Sequence, residues 1–140
     1  MARESGHRSV PHPADLRIEA WGPTRERCVA EAVAGLVESF ADVSGVRPSG
    51  TARVDVPPGP DTDQLAAVLD EVIYRLDAGG EVVLDAGIAA AQDGGLTARL
   101  TTGDAAEAVE TGAAPKAVSL HALRFGRDDR GWSCAVTIDV

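Results

Sequence analysis

The chain has 140 residues, the length of one compact domain, and 44% of them are hydrophobic, which is enough for a core. Asp and Glu number 22 against 13 for Lys and Arg, so the formal net charge is -9, and the basic residues are spread along the chain. Proteins that bind a nucleic-acid backbone tightly carry clustered Lys and Arg. The composition therefore argues against direct, tight RNA binding and favours a basic protein partner or cations as ligands.

The N-terminal segment and the two cysteines indicate a cellular compartment. Residues 1–10 contain no apolar run typical of a secretory signal, and no stretch of about 20 apolar residues is long enough to span a membrane. Cys28 falls in a helical pattern and Cys134 in a strand pattern, without the spacing of a zinc or redox motif. We therefore expect a cytoplasmic protein in which both thiols are reduced core residues.

The first half of the chain alternates strand patterns with helix patterns. Apolar and charged residues alternate through residues 16–20 and again through residues 52–56, which is typical of strands with one buried face. Thr24 is a suitable N-cap for a helix over residues 25–40. Apolar residues in 65–76 recur at i, i+3, i+4 and i+7, so this segment is the clearest helix, and Gly79-Gly80 ends it.

The second half reads as four strands joined by turns. The segments are residues 81–92, 96–101, 117–125 and 132–140, and residues 103–115 between the second and third are expected to form an exposed loop. In the third segment the alternation predicts that Val118, Leu120 and Ala122 share one face. The predicted class is α+β: a mostly antiparallel sheet of about seven strands with two helices on one face, forming a single domain over residues 1–140.

The sequence contains no common catalytic motif. It has no glycine-rich phosphate loop after a strand and no paired histidines at metal spacing, and neither His12 nor His121 lies in a recognisable nucleophile motif. Asp15 ends a His-Pro-Ala-Asp stretch just before the first strand, where an acidic residue often accepts backbone N–H bonds in a polar turn. Lys116 is the only lysine, and a single lysine is usually a solvated surface charge.

The end of the chain offers a second candidate feature. A strand pattern runs up to Val140, so the side chain of Asp139 and the terminal carboxylate would lie at a defined place. Two carboxylates this close repel each other unless a positive group lies between them, and a hard divalent cation with oxygen ligands would serve. The alternative is that both groups simply face water.

Three segments together resemble motifs of the archease family, in the right order and over nearly the whole chain. Residues 10–16 resemble its His-Thr-Ala-Asp opening motif, and residues 116–121 resemble its Lys-Ala-Val-Thr-Tyr-His motif. Residues 131–140 resemble its last strand, which contains Trp and closes on Asp and an aliphatic residue. Pro13 stands where the family has Thr, and Ser119-Leu120 where it has Thr-Tyr, but neither change replaces a mapped ligand.

The resemblance implies a function and a fold. Archeases are non-catalytic cofactors of RtcB-type RNA ligases, which join a 3′-phosphate or 2′,3′-cyclic phosphate end to a 5′-hydroxyl. They promote guanylylation of the ligase and multiple turnover in tRNA splicing or, in bacteria, RNA repair. The family fold consists of two intertwined strand-helix-strand-strand modules.

The resemblance also implies site residues. Carried over by position, the metal ligands are Asp15, Asp139 and the terminal carboxylate of Val140, and the activating lysine is Lys116. His12 and His121 match motif positions and are interpreted as structural neighbours of the site. The implied cofactor is a divalent cation: Ca²⁺ first, with Mg²⁺ or Mn²⁺ as alternatives.

Two other interpretations of the chain stay open. One is a small metal-dependent hydrolase that uses Asp15 and Asp139 to position a water molecule. The other is a cation-stabilised binding module with an unrelated partner. Oligomeric state is open as well, because an exposed sheet edge can pair with another copy.

Overall fold

The structure is a computed structural model that describes residues 4–11 and 15–140. Within these residues the chain forms nine strands, two α-helices and a short 3₁₀ turn at Ala105–Glu107. The helices are α1 (Arg25–Glu38) and α2 (Asp61–Gly79). The strands are β1 (Gly6–Pro11), β2 (Asp15–Gly22), β3 (Ala41–Asp42), β4 (Gly50–Val56), β5 (Glu81–Ala90), β6 (Leu96–Asp104), β7 (Val109–Glu110), β8 (Ala117–Asp128) and β9 (Gly131–Asp139).

The strands form three antiparallel sheets. The largest has the order β1-β2-β9-β8, a second has the order β4-β6-β5, and β3 pairs with β7. The predicted α+β class with antiparallel pairing is confirmed, but the strands divide among three sheets instead of one. The segment predicted as a featureless loop, residues 103–115, contains the end of β6, the 3₁₀ turn and β7.

Local sequence explains where the helices begin and end. The Thr24 hydroxyl caps α1 by accepting a hydrogen bond from the Arg27 backbone N–H, at 3.1 Å. α2 ends at Gly80, whose left-handed backbone (φ 63°) lets its N–H bond back to the last turn. In the described part of the chain, no helix has both the length and the hydropathy needed to cross a membrane.

The two helices join the larger sheets into one core. α1 packs against β1, β2 and β9 and also against β5, while α2 packs against β8, β4 and β5. The largest fully buried side chains come from both helices and both sheets: Ile18, Leu36, Leu65, Leu69 and Leu100. A single apolar cluster therefore connects the four-stranded and three-stranded sheets.

The helices cover one face of the four-stranded sheet. A Cβ placed on Gly35 of α1 would lie 3.0 Å from Ile18 of β2, so the row that pairs Ile18 with Val136 faces the helix. Alternate residues of a strand point to opposite faces. The rows containing Arg17–Thr137 and Asp15–Asp139 therefore lie on the face away from the helices.

Both cysteines are buried and reduced in this core, as expected. The Cys28 thiol contacts the Ala20 carbonyl oxygen at 3.6 Å. A hydrogen bond from Cys28 lowers the pKa of the Cys134 thiol, although burial opposes that change. The two thiols are thus neighbours that join α1 to β9.

β8 is interrupted by a large bulge. Ser119 pairs with Thr137 and Arg124 pairs with Ala135, so residues 120–123 stand opposite Val136 alone. Within the bulge Ala122 has a φ of 58°, and the Leu120 side chain is 72% exposed. The prediction that Val118, Leu120 and Ala122 share one face is wrong, because the extra residues in the bulge break the alternation.

Candidate cation site at one end of the four-stranded sheet

The antiparallel register of β2 and β9 places two acidic residues opposite each other. Asp15 is the first residue of β2 and Asp139 is the last residue of β9, and the two are direct cross-strand partners. The Cβ atoms of such partners lie about 4.5–5.5 Å apart on the same face. The two carboxylates therefore project side by side from the face away from the helices.

The start of β8 lies next to this acidic pair, on the other side of β9 from β2. Ala117 is the cross-strand partner of Asp139, and the Lys116 backbone N–H donates to the Asp139 carbonyl oxygen at 2.7 Å. The Lys116 side chain is exposed and forms no ion pair with any residue that the structure describes. The lysine thus lies beside the acidic pair through its main chain while its ammonium group faces solvent.

Val140 follows Asp139 directly, and its side chain is half-buried against the hydrophobic core. Leu16 and Val118, the neighbours of Asp15 and Ala117, pack against the same core. Because these apolar side chains pack against the core, the backbone of Val140 is held next to the acidic pair. Asp15, Asp139, Val140 and Lys116 are brought together at one end of the sheet.

Of the two histidines from the sequence analysis, the structure describes only His121. His12 lies outside the described residues. His121 is exposed in the β8 bulge, beyond the Ser119–Thr137 pair, where its backbone N–H donates to the Ser119 hydroxyl at 3.3 Å. No described contact joins the His121 ring to the acidic pair.

The donor groups at this corner fit a hard cation. The side-chain carboxylates of Asp15 and Asp139 supply only oxygen, the ligand type of Ca²⁺, Mg²⁺ and Mn²⁺, without the nitrogen or sulfur that favours zinc. Across residues 4–11 and 15–140, no three side chains of His, Cys, Asp or Glu are grouped to hold a metal ion. A cation held by Asp15 and Asp139 would therefore need further oxygen ligands besides these two side chains.

One acidic residue near this corner was missed from the sequence. Asp70 projects from α2 towards β8, where the Val118 backbone N–H hydrogen-bonds to its carboxylate. Burial raises the pKa of the Asp70 carboxyl above its ordinary value, and the Val118 bond partly offsets that rise. Asp70 sits on the polar side of the α2 pattern, so only the packing of α2 on β8 reveals this position.

Comparisons with known proteins give consistent matches over the whole chain. The sequence profile of the Archease protein family (MTH1598/TM1083) matches residues 7–140. A protein of Mycobacterium tuberculosis (strain H37Rv) named "Probable protein archease" is 52% identical over 136 residues, covering 97% of this chain and 75% of the relative. "Protein archease" of Archaeoglobus fulgidus is 27% identical over 138 residues, covering 96% and 98%.

Two solved structures share the fold. The solution structure of Methanobacterium thermoautotrophicum protein 1598 aligns with a TM-score of 0.74 at 22% identity, covering 96% of this chain and 99% of that one. The crystal structure described as "an archease, possible chaperone" from Thermotoga maritima aligns with a TM-score of 0.66 at 20% identity, covering 100% and 98%. At these identities the likeness supports the fold alone.

Proposed function

Because this chain belongs to the archease family, we propose that it is a non-catalytic protein cofactor of an RtcB-type RNA ligase. In this proposal it promotes guanylylation of the ligase and multiple turnover, in tRNA splicing or RNA repair, and it acts in the cytoplasm. The single observation that carries the proposal is the cross-strand pair of Asp15 and Asp139, next to which the Lys116 backbone N–H donates a hydrogen bond to the Asp139 carbonyl oxygen. These are the positions at which the chain resembles the family's functional motifs.

The proposed site holds one divalent cation, with Ca²⁺ first and Mg²⁺ or Mn²⁺ as alternatives. Its ligands would be the side chains of Asp15 and Asp139 and the terminal carboxylate of Val140. A bound cation would supply positive charge that offsets the repulsion among these carboxylates. Lys116, exposed beside them, is free to contact the ligase or its nucleotide.

Ligation assays test the proposed function directly. A purified RtcB-type ligase is given RNA with 2′,3′-cyclic phosphate and 5′-hydroxyl ends, with and without this protein, under single-turnover and multiple-turnover conditions. We expect a gain in multiple turnover that falls at least about tenfold in Asp15→Asn, Asp139→Asn and Lys116→Gln. Asp129→Asn, an exposed acidic residue in the β8–β9 turn, is the matched control and should retain the gain.

The result decides between the interpretations. If the wild-type protein gives no gain in turnover with the ligase, the cofactor proposal is wrong. If the protein alone hydrolyses phosphoesters in a metal-dependent way, the hydrolase interpretation is correct instead. A gain that survives in all three variants would leave the cofactor role intact but remove this corner from it.

Cation binding is tested separately from activation. Adding Ca²⁺ at about 100 times its Kd should stabilise the wild-type protein by roughly 2.7 kcal/mol, seen as a rise in the thermal midpoint. Asp139→Asn, and a variant with one extra residue after Val140, should lose most of that rise because each removes or displaces a carboxylate. An unchanged rise in the extended variant would show that the terminal carboxylate is not a ligand.

A further inference from the structure

A second cluster of titratable groups lies at the opposite edge of the four-stranded sheet, where β1 meets α1. The imidazole of His7 in β1 lies between two glutamates of α1. Its Nδ1 is 2.8 Å from Glu31 Oε1, and its Nε2 is 2.5 Å from Glu38 Oε2. Glu31 and Glu38 share one face of the helix because positions i and i+7 are about two turns apart. The ring therefore spans the two carboxylates.

The helix surface beneath this ring is shaped for it. Gly35 lies between the two glutamates, and a Cβ there would be 3.2 Å from His7 Cβ and 3.3 Å from His7 Cδ2. The same Cβ would be 3.0 Å from Ile18 Cγ2 in β2. A side chain at this position would crowd both strands, so glycine allows the imidazole to pack closely against α1.

The protonation state of His7 determines how many hydrogen bonds the ring can donate to Glu31 and Glu38. A carboxylate only accepts hydrogen bonds, and a neutral imidazole has one donor nitrogen and one acceptor nitrogen. The protonated ring donates from both nitrogens and so satisfies Glu31 and Glu38 together. Burial by itself lowers the pKa of His7, but the hydrogen bonds to Glu38 and Glu31, with their negative charges, raise it overall above its ordinary value of 6.5.

The other charged groups around the ring are few. On α1, Arg27 contacts the second oxygen of Glu31 at 3.5 Å and the Ser5 hydroxyl at 3.2 Å. On β2 the residue opposite His7 is the uncharged Ala20. On β5, Asp85 lines the same cleft as Arg27 and Glu31. Among the described residues near the ring, Glu31, Glu38 and Asp85 outnumber the single arginine, so these surroundings favour the imidazolium.

We propose that His7 is a pH-dependent clamp, whose protonated ring ties β1 to α1 and whose deprotonation releases that tie. Within the described residues, β1 is an edge strand whose one strand partner is β2, and α1 is the other element that it packs against. Since folding raises the pKa of His7, the clamp contributes its full stability below about pH 6.5. That contribution is lost as pH rises through the folded-state pKa.

Nuclear magnetic resonance on the wild-type protein tests the clamp without any substitution. The ring signal of His7 should titrate above 6.5, and the amides of Arg8, Ser9 and Val10 should lose protection from hydrogen exchange over the same pH range. After correction for the intrinsic pH dependence of exchange, we expect a loss of about tenfold between pH 6 and pH 9, the size of one charge-assisted hydrogen bond. Core amides of α2 should keep their protection.

Two glutamine variants identify the partners. Glu31→Gln should reduce the pH dependence of β1 amide protection more than Glu38→Gln does. The Glu31 side chain is 16% exposed and the Glu38 side chain is 64% exposed, so water screens the charge of Glu38 more strongly. Glu110→Gln, at an exposed glutamate of β7, is the matched control and should behave like the wild type. The proposal is wrong if His7 titrates at or below 6.5, or if β1 protection in the wild type is unchanged between pH 6 and pH 9.

Discussion

Gly131, the first residue of β9, shows how one residue controls the strand that leads to the candidate site. Its φ is 126°, a region that side chains rarely adopt, and a Cβ there would lie 2.7 Å from the Gly22 carbonyl oxygen. Both features require glycine. The backbone of β9 from this turn to Asp139 depends on that geometry.

We therefore expect Gly131→Ala to lower the free energy of unfolding by about 2 kcal/mol, the size of one strained backbone conformation plus a local clash. Urea unfolding followed by tryptophan fluorescence measures the loss. Gly45→Ala is the matched control, because a Cβ at Gly45 meets nothing within 4 Å and that glycine has no positive φ. Equal losses in the two variants would contradict this explanation.

Individual site residues were predictable to different degrees. Strand periodicity was enough to place Asp15 just before one strand and Asp139 near the end of another. It contains no information on which strands are neighbours, so the pairing of these residues was expected only from the family resemblance. The hydrogen bond between Asp70 and the Val118 backbone and the packing of His7 on Gly35 depend on contacts between elements distant in sequence, and nothing in the local pattern indicates them.

At the scale of elements, α2 is the part of the fold that its own sequence specifies best. Leu65, Val68, Leu69 and Val72 are all buried, as their helical spacing predicts. Leu69 is 1% exposed and Tyr74 is 64% exposed, so the helix has a clear buried face and a clear solvent face. The two positions offer a direct comparison.

Leu69→Ala should lower the free energy of unfolding by about 2–5 kcal/mol, because it removes buried methyl groups and leaves a cavity in the core. Tyr74→Ala on the same helix should change it by less than about 0.5 kcal/mol, because the ring is already in water. Chemical denaturation of both variants checks the contrast. A comparable loss in Tyr74→Ala would mean that an unrecognised contact covers the exposed ring.

Elements that lack a strong local pattern were missed or misjudged. β1 has a mixed sequence (Gly-His-Arg-Ser-Val-Pro), and it becomes a strand through its pairing with β2. The alternation of Val118, Leu120 and Ala122 resembled an ordinary strand, yet the β8 bulge interrupts the pairing there. Sequence periodicity is local, whereas a bulge is a mismatch in length between two paired strands.

At the scale of the molecule, the two helices connect sheets that would otherwise be separate. The division into three sheets was not predictable, because hairpin signals indicate which strands are joined and not how a sheet is split. Both tryptophans, Trp21 and Trp132, lie in the four-stranded sheet, while the helices contact both larger sheets. Tryptophan fluorescence therefore reports on the four-stranded sheet, whereas far-ultraviolet circular dichroism also reports on the helices.

If residues 1–140 form one cooperative domain, tryptophan fluorescence and far-ultraviolet circular dichroism should give the same unfolding midpoint. We expect coincident transitions, because a single apolar cluster links both helices to both sheets. Two separated midpoints would show that the four-stranded sheet unfolds independently. The single-domain prediction would then be wrong.

The bulge in β8 also affects how this molecule behaves at high concentration. β8 is an edge strand of 12 residues, and an uninterrupted edge of that length would offer its free backbone groups to another chain. The bulge at residues 120–123 divides this edge into two shorter stretches that an extended strand cannot follow continuously. The same irregularity that leaves Leu120 exposed therefore protects the protein against edge-to-edge aggregation. Deleting the extra residues would make the sheet more regular, and we expect it to lower the solubility of the protein.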